Sequence, residues 1–132
     1  MLRFEYMPSD FHPVFLFLGE ATDLTELAKL LRRFAEHPEA LAVAEHIPGA
    51  LSRNTLVLTP TQDGEFGMRD IGGRFAWKLT DWQAARIAER IELLTLKESK
   101  SGSEILEIGS EGEIPVKVSR GEFTDDFLVS RR

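Results

Sequence analysis

The sequence has no cysteine among its 132 residues. That excludes a disulfide framework, a thiol nucleophile and a zinc–cysteine centre. Long apolar runs are also missing: Val14 to Leu18 covers five residues, against the roughly twenty needed to cross a bilayer. The opening Met1-Leu2-Arg3-Phe4-Glu5-Tyr6 contains no apolar signal region, so a cytoplasmic location is the expectation. Basic side chains are the minority, 16 against 22 acidic ones, for a net charge of −6. This balance opposes nonspecific attachment to DNA or anionic lipid. Residues 1–66 carry five basic and ten acidic side chains, so most of the excess negative charge sits in the first half. The chain contains no GxGxxG, GxxxxGK, HExxH or GxSxG pattern, the motifs that would announce a dinucleotide, phosphate, zinc or serine-hydrolase site.

What is present suits an ordinary folded domain. Hydrophobic residues make up 42% and charged residues 29%, with nine Phe, two Trp and one Tyr. A chain of this size buries about two-thirds of its extended surface, enough for a core without disulfides or metal. The expectation is one compact domain over residues 1–132, with the last two or three residues frayed.

Alternation of Leu2, Phe4 and Tyr6 with Arg3, Glu5 and Met7 predicts a half-buried strand. The continuous run Val14-Phe15-Leu16-Phe17-Leu18 predicts a strand covered on both faces. Leu24, Leu27, Ala28, Leu31, Phe34 and Ala35 recur at helical spacing. Asp23 and Glu26 have capping-box spacing at the start of that run, and His37-Pro38 ends it. Residues 39–47 fit a short helix or a strand: alanine favours the helix, but the segment is too short for periodicity to decide. Asn54–Thr59, Glu65–Ile71 and Arg74–Leu79 read as a meander, with Gly72-Gly73 as a tight turn. In the last of these, Phe75, Trp77 and Leu79 turn inward, and Arg74 and Lys78 face water.

A second helix follows, capped by Thr80 with Gln83. Ala84, Ile87, Ala88, Ile91 and Leu94 face the core; Trp82, Arg86, Glu89 and Leu93 lie on the opposite side. Lys97–Ser103 reads as a connection, and Glu104–Ile108 with Ile114–Val118 as a last hairpin. Pro115 lacks a donor, which places that final strand at an edge or gives it a bulge. Together these elements predict an α+β fold: a mostly antiparallel sheet of five to seven strands with two main helices on one face. The chain shows no convincing internal repeat.

Chemistry is sparsely signposted. Asp10 and His12, joined by His46 through the fold, are the candidate acid/base groups of a cleft. No metal site or cofactor is expected, because the three histidines are far apart in sequence. Arg69, Arg74 and Lys78 project away from Phe75 and Trp77, so no nucleic-acid partner is expected either. Binding features are more numerous. Trp82 and Leu93 lie on the helix face away from the core. Lys117, Arg120, Phe123 and Phe127 form a mixed-charge segment with aromatic anchors beside a possible open edge. The sequence therefore favours a noncatalytic domain that binds another protein or a second copy of itself. The alternative is a small ligand-binding or hydrolytic enzyme built on an Asp10/His12 cleft.

Overall fold

The periodic segments become eight strands and three helices in a computed structural model, which describes residues 1–8, 13–61, 64–96 and 102–121. In chain order these are β1 (Arg3–Met7), β2 (Val14–Gly19), α1 (Ala21–Glu36), β3 (Leu41–Ala42), α2 (Val43–His46) and β4 (Leu56–Pro60). There follow β5 (Gly67–Ile71), β6 (Arg74–Leu79), α3 (Asp81–Leu96), β7 (Gly102–Leu106) and β8 (Val116–Arg120). Residues 39–47 resolve into both alternatives: two residues of strand, then one helical turn.

The α+β class holds, but the single sheet does not. The strands form two four-stranded sheets, ordered β1-β2-β8-β7 and β3-β4-β6-β5. The hairpin partners β1/β2, β3/β4, β5/β6 and β7/β8 are antiparallel, while β2/β8 and β4/β6 are parallel. Each sheet is thus two local hairpins joined by one long-range parallel pairing. Nor do two helices simply cover one sheet: α1 and α3 pack principally against each other. Their buried stripes join the inner faces of both sheets in one core.

The final strand is not at an edge. β8 lies between β2 and β7, and Pro115 stands just ahead of it. There the missing N–H costs nothing, while its carbonyl accepts the Phe15 N–H at 2.8 Å.

The two sheets reveal a repeat hidden in the sequence. Residues before β5 and those from β5 onward build the same order, ββαββ, with α2 as an insertion in the first copy. Phe15 pairs with Val116 in the first sheet, and Phe75, 60 positions on, pairs with Leu56 in the second. The same shift carries α1 onto α3, each 16 residues long. It also carries the Phe15-to-Pro115 hydrogen bond onto one from Phe75 N–H to the Thr55 carbonyl, again 2.8 Å. Buried Leu24, Leu27, Ala28, Leu31 and Phe34 match buried Ala84, Ile87, Ala88, Ile91 and Leu94.

Counterparts meet on the pseudo-twofold axis. Phe15 contacts Phe75 with ring centroids 5.1 Å apart, and Phe17 stacks on Trp77 at 5.5 Å. Trp77, at 1% exposure, is a central core residue as its alternation predicts. Near the surface, Arg32 grips its own counterpart Glu92 through two hydrogen bonds of 3.1 and 2.6 Å.

Capping follows the same rule. Thr80 N–H donates to Gln83 Oε1 at 2.9 Å and Gln83 N–H to Thr80 Oγ1 at 3.1 Å, the predicted box. For α1 the box sits one turn earlier than predicted. Glu20 is the N-cap and Asp23 the third helical residue, accepting the Glu20 N–H at 2.9 Å. Asp23 is the third helical residue rather than the cap because Glu20 is the residue with extended backbone that precedes the helix.

One tight approach ties the β7–β8 connection to β5. Gly67 has φ of +92°, and a Cβ there would collide with Glu113. The Glu113 carboxylate accepts the N–H groups of Ile108, Gly109 and Ser110, closing that connection on itself.

Candidate functional site

An α-helix packed on one side leaves its opposite face to solvent, and the residues there are free of the core's demands. On α3 that face is Trp82, Arg86, Glu89, Leu93 and Leu96, spaced at three or four residues and all exposed. Polar side chains are the inexpensive choice for such positions. Instead Trp82 is 70% exposed, Leu93 55% and Leu96 77%. Between the apolar ends lies an ion pair, Arg86 to Glu89 at 3.1 Å.

The internal repeat supplies a control. The corresponding face of α1 is Thr22, Glu26, Lys29, Arg33 and Glu36, also exposed throughout. Its central ion pair, Lys29 to Glu26 at 3.7 Å, occupies the same place with the charges exchanged. The same fold position thus accepts an all-polar face, so folding does not require Trp82, Leu93 or Leu96 to be apolar.

Trp82 forms a crest between two grooves. One, of about 290 Å³, runs between α3 and the end of β7 and is lined by Arg86, Arg90, Leu106 and Ile108. Arg90, one of its lining residues, donates to Glu104 Oε2 at 2.8 Å and to the Ile105 carbonyl. The other, of about 320 Å³, separates α3 from α1 and is lined by Arg32, Ala35, Glu36 and Ala85. An amphipathic ring flanked by depressions is the kind of anchor that dominates protein contacts.

The remaining sequence candidates separate. Arg120 is half-buried and donates from Nη1 to the Leu94 and Thr95 carbonyls at 3.1 and 3.0 Å, serving the C-terminal end of α3. Lys117, half-buried on β8, pairs in register with Leu16 and Ile105. Phe123 and Phe127 lie outside the described residues, as do Asp10 and His12. His46 ends α2 with Nδ1 3.5 Å from Arg33 Nη1, on the rim of α1. Phe75 and Trp77 are inside the core, where neither ring can stack on a nucleobase.

Sequence reasoning missed a polar recess of about 460 Å³ lined by Tyr6, Glu65, Arg69, Asp70 and Lys78. Its cations are engaged internally. Arg69 donates to the Phe66 carbonyl and to Ser110 Oγ, and Lys78 pairs with Glu65 at 3.3 Å. The signal available beforehand was the alternation of Arg69 and Lys78 on neighbouring strands, which says nothing of a concavity. Among the described residues, no group of three or more acidic or histidine side chains is placed to hold a metal ion. No helix among them is long and apolar enough to cross a membrane.

Among the described residues, two carboxylates are held below their ordinary range, and both serve structure. Burial pulls the Asp23 carboxyl upward, but the N-terminal ammonium 2.8 Å away and the Glu20 N–H outweigh it and hold it low. The hydrogen bond from Arg32 holds Glu92 below its ordinary value. Comparison of the chain with protein-family models, with curated proteins and with solved structures finds no match.

Proposed function

We propose that this chain is a noncatalytic protein-binding domain whose contact surface centres on Trp82. The observation that carries the reading is the contrast between the outward faces of α3 and α1. At matched positions of a repeated fold, one presents Trp82, Leu93 and Leu96, the other Thr22, Arg33 and Glu36. Exposed large apolar side chains gathered on one face are the usual mark of an interaction site. A tryptophan buries large contact area with only two side-chain torsions to order, which favours its use as an anchor.

Photo-crosslinking tests this with its own internal reference. A photoreactive phenylalanine replaces Trp82 in one sample and Thr22 in another, each in cells producing the full chain. The reading expects discrete higher-mass adducts from position 82 and none from position 22. Equal adduct formation from the two positions, or none from position 82, overturns it.

A further inference from the structure

The charge order along α3 narrows the partner. We infer that the occupant of this face is a second copy of the chain, docked through an antiparallel, two-fold pairing of α3 with its equivalent. The inference rests on the Trp82-centred binding surface proposed above.

A two-fold interface brings residue i against j and j against i. Place the axis midway between Arg86 and Glu89. Arg86 then faces the second copy's Glu89 twice, and Trp82 faces its Leu93 twice. With the pair already formed within each helix at 3.1 Å, the four charges make an alternating square. The apolar anchors stand at either end, about 17 Å apart along the helix.

The alternative pairings are poorer on the same geometry. Docking α3 on the second copy's α1 sets Arg86 against Lys29 and Glu89 against Glu26, like charge on like charge, which disfavours association. Closing that arrangement with α1 on the second copy's α3 as well only doubles the number of like-charge contacts. Docking α1 on α1 matches Glu26 with Lys29 but sets Thr22 against Arg33, with no apolar anchor. Only α3 on α3 is complementary in both charge and apolarity. A single helix pair is smaller than the roughly 800 Å² per partner of a standard interface, which classes this contact with the weak, reversible ones.

Sedimentation of the purified full chain over a range of concentrations, at physiological salt, tests the inference. The expected result is a reversible monomer–dimer equilibrium. Trp82→Thr removes one anchor from each end of the interface and weakens it by about thirtyfold or more, the scale of losing a hot-spot side chain. Arg86→Glu and Glu89→Arg each weaken it by at least about tenfold, because each places two like-charge contacts at the interface. The combined exchange Arg86→Glu/Glu89→Arg restores it. Circular dichroism of each variant reports folding independently, and the restoring double variant separates a lost interface from a damaged helix. A chain that stays monomeric at every concentration overturns self-association, as does a dimer indifferent to these variants. Adducts to a different protein from position 82, alongside a monomeric chain, would leave the binding surface standing and remove only the second copy as its occupant.

Discussion

The two ββαββ halves of this molecule are alike where they are buried and unlike where they are exposed. Across the shift of 60, Leu27 matches Ile87, Leu31 matches Ile91 and Leu58 matches Val118, each nearly inaccessible. Over residues 14–36 and 74–96, identity survives only at Phe15/Phe75 and Ala28/Ala88. The core therefore constrains hydrophobic character and fit rather than residue type, as volume-conserving exchanges in other cores do. The surface carries no such constraint, and there one half has kept a polar helix face while the other presents Trp82, Leu93 and Leu96. A duplicated fold separates what folding needs from what it merely tolerates.

The comparison is most severely tested at the axis. Trp77→Ala should cost about 3–5 kcal/mol, as for other buried aromatics truncated to alanine. Its counterpart Phe17→Ala should cost a similar amount by urea denaturation. Because the rings stack at 5.5 Å, the double variant should cost measurably less than the sum. Additive losses would show that the halves stabilise themselves separately.

Capping gives the next effect. Gln83→Ala and Asp23→Ala each remove the third-residue side of a box at the start of a long helix, and each should cost about 1 kcal/mol. A loss confined to one of them would break the equivalence of α1 and α3.

Acid titration reaches the ion pair at the axis. Glu92 has its folded pKa depressed, chiefly by the hydrogen bond from Arg32. Its contribution is therefore present above the ordinary carboxylate value of 4.5 and is lost as pH falls through the lower folded value. The side chains are 44% and 41% exposed, so solvent screening limits the contribution to about 0–1 kcal/mol. Glu92→Gln should flatten the stability profile below that pH, and the exchanged pair Arg32→Glu/Glu92→Arg should recover it. An unchanged acid limb in Glu92→Gln would remove the pair from the energetics.

The smallest expected effect is on the face that distinguishes the halves. Trp82→Thr installs the α1 residue on α3 and should shift monomer folding stability by no more than about 0.5 kcal/mol, as surface substitutions usually do. Thermal or urea unfolding at low protein concentration measures it. A loss of several kcal/mol would make Trp82 a structural residue and erase the contrast.

Local chemistry was legible in the sequence; long-range pairing was not. Alternation places Phe75 and Trp77 inward, helical spacing finds both long helices, and Thr80 with Gln83 identifies a cap, because each signal lies within a few residues. The parallel pairing of Phe15 with Val116 leaves no local trace, since periodicity records which face a residue uses and not which strand lies beside it. This is why a single sheet was expected. Pro115 was read as an edge signal because its missing donor matters only inside a ladder, and its position just before β8 was invisible to pattern. The repeat leaves little trace in the sequence because it survives in burial and register rather than identity. Of the candidate surface, Trp82 and Leu93 were identifiable from the helix face they occupy. The flanking grooves, and the polar recess beside Lys78, arise from elements far apart in the chain.

The contact between Arg32 and Glu92 has a consequence for how the halves could ever be separated. At an axis, a residue meets its own equivalent, so two copies of the first half would oppose arginine to arginine and two copies of the second glutamate to glutamate. The stacked Phe17 and Trp77 would likewise be replaced by two smaller or two larger rings. Severed in the connection before β5, the fragments should prefer one another to themselves, and complementation between unlike pieces would reassemble the whole.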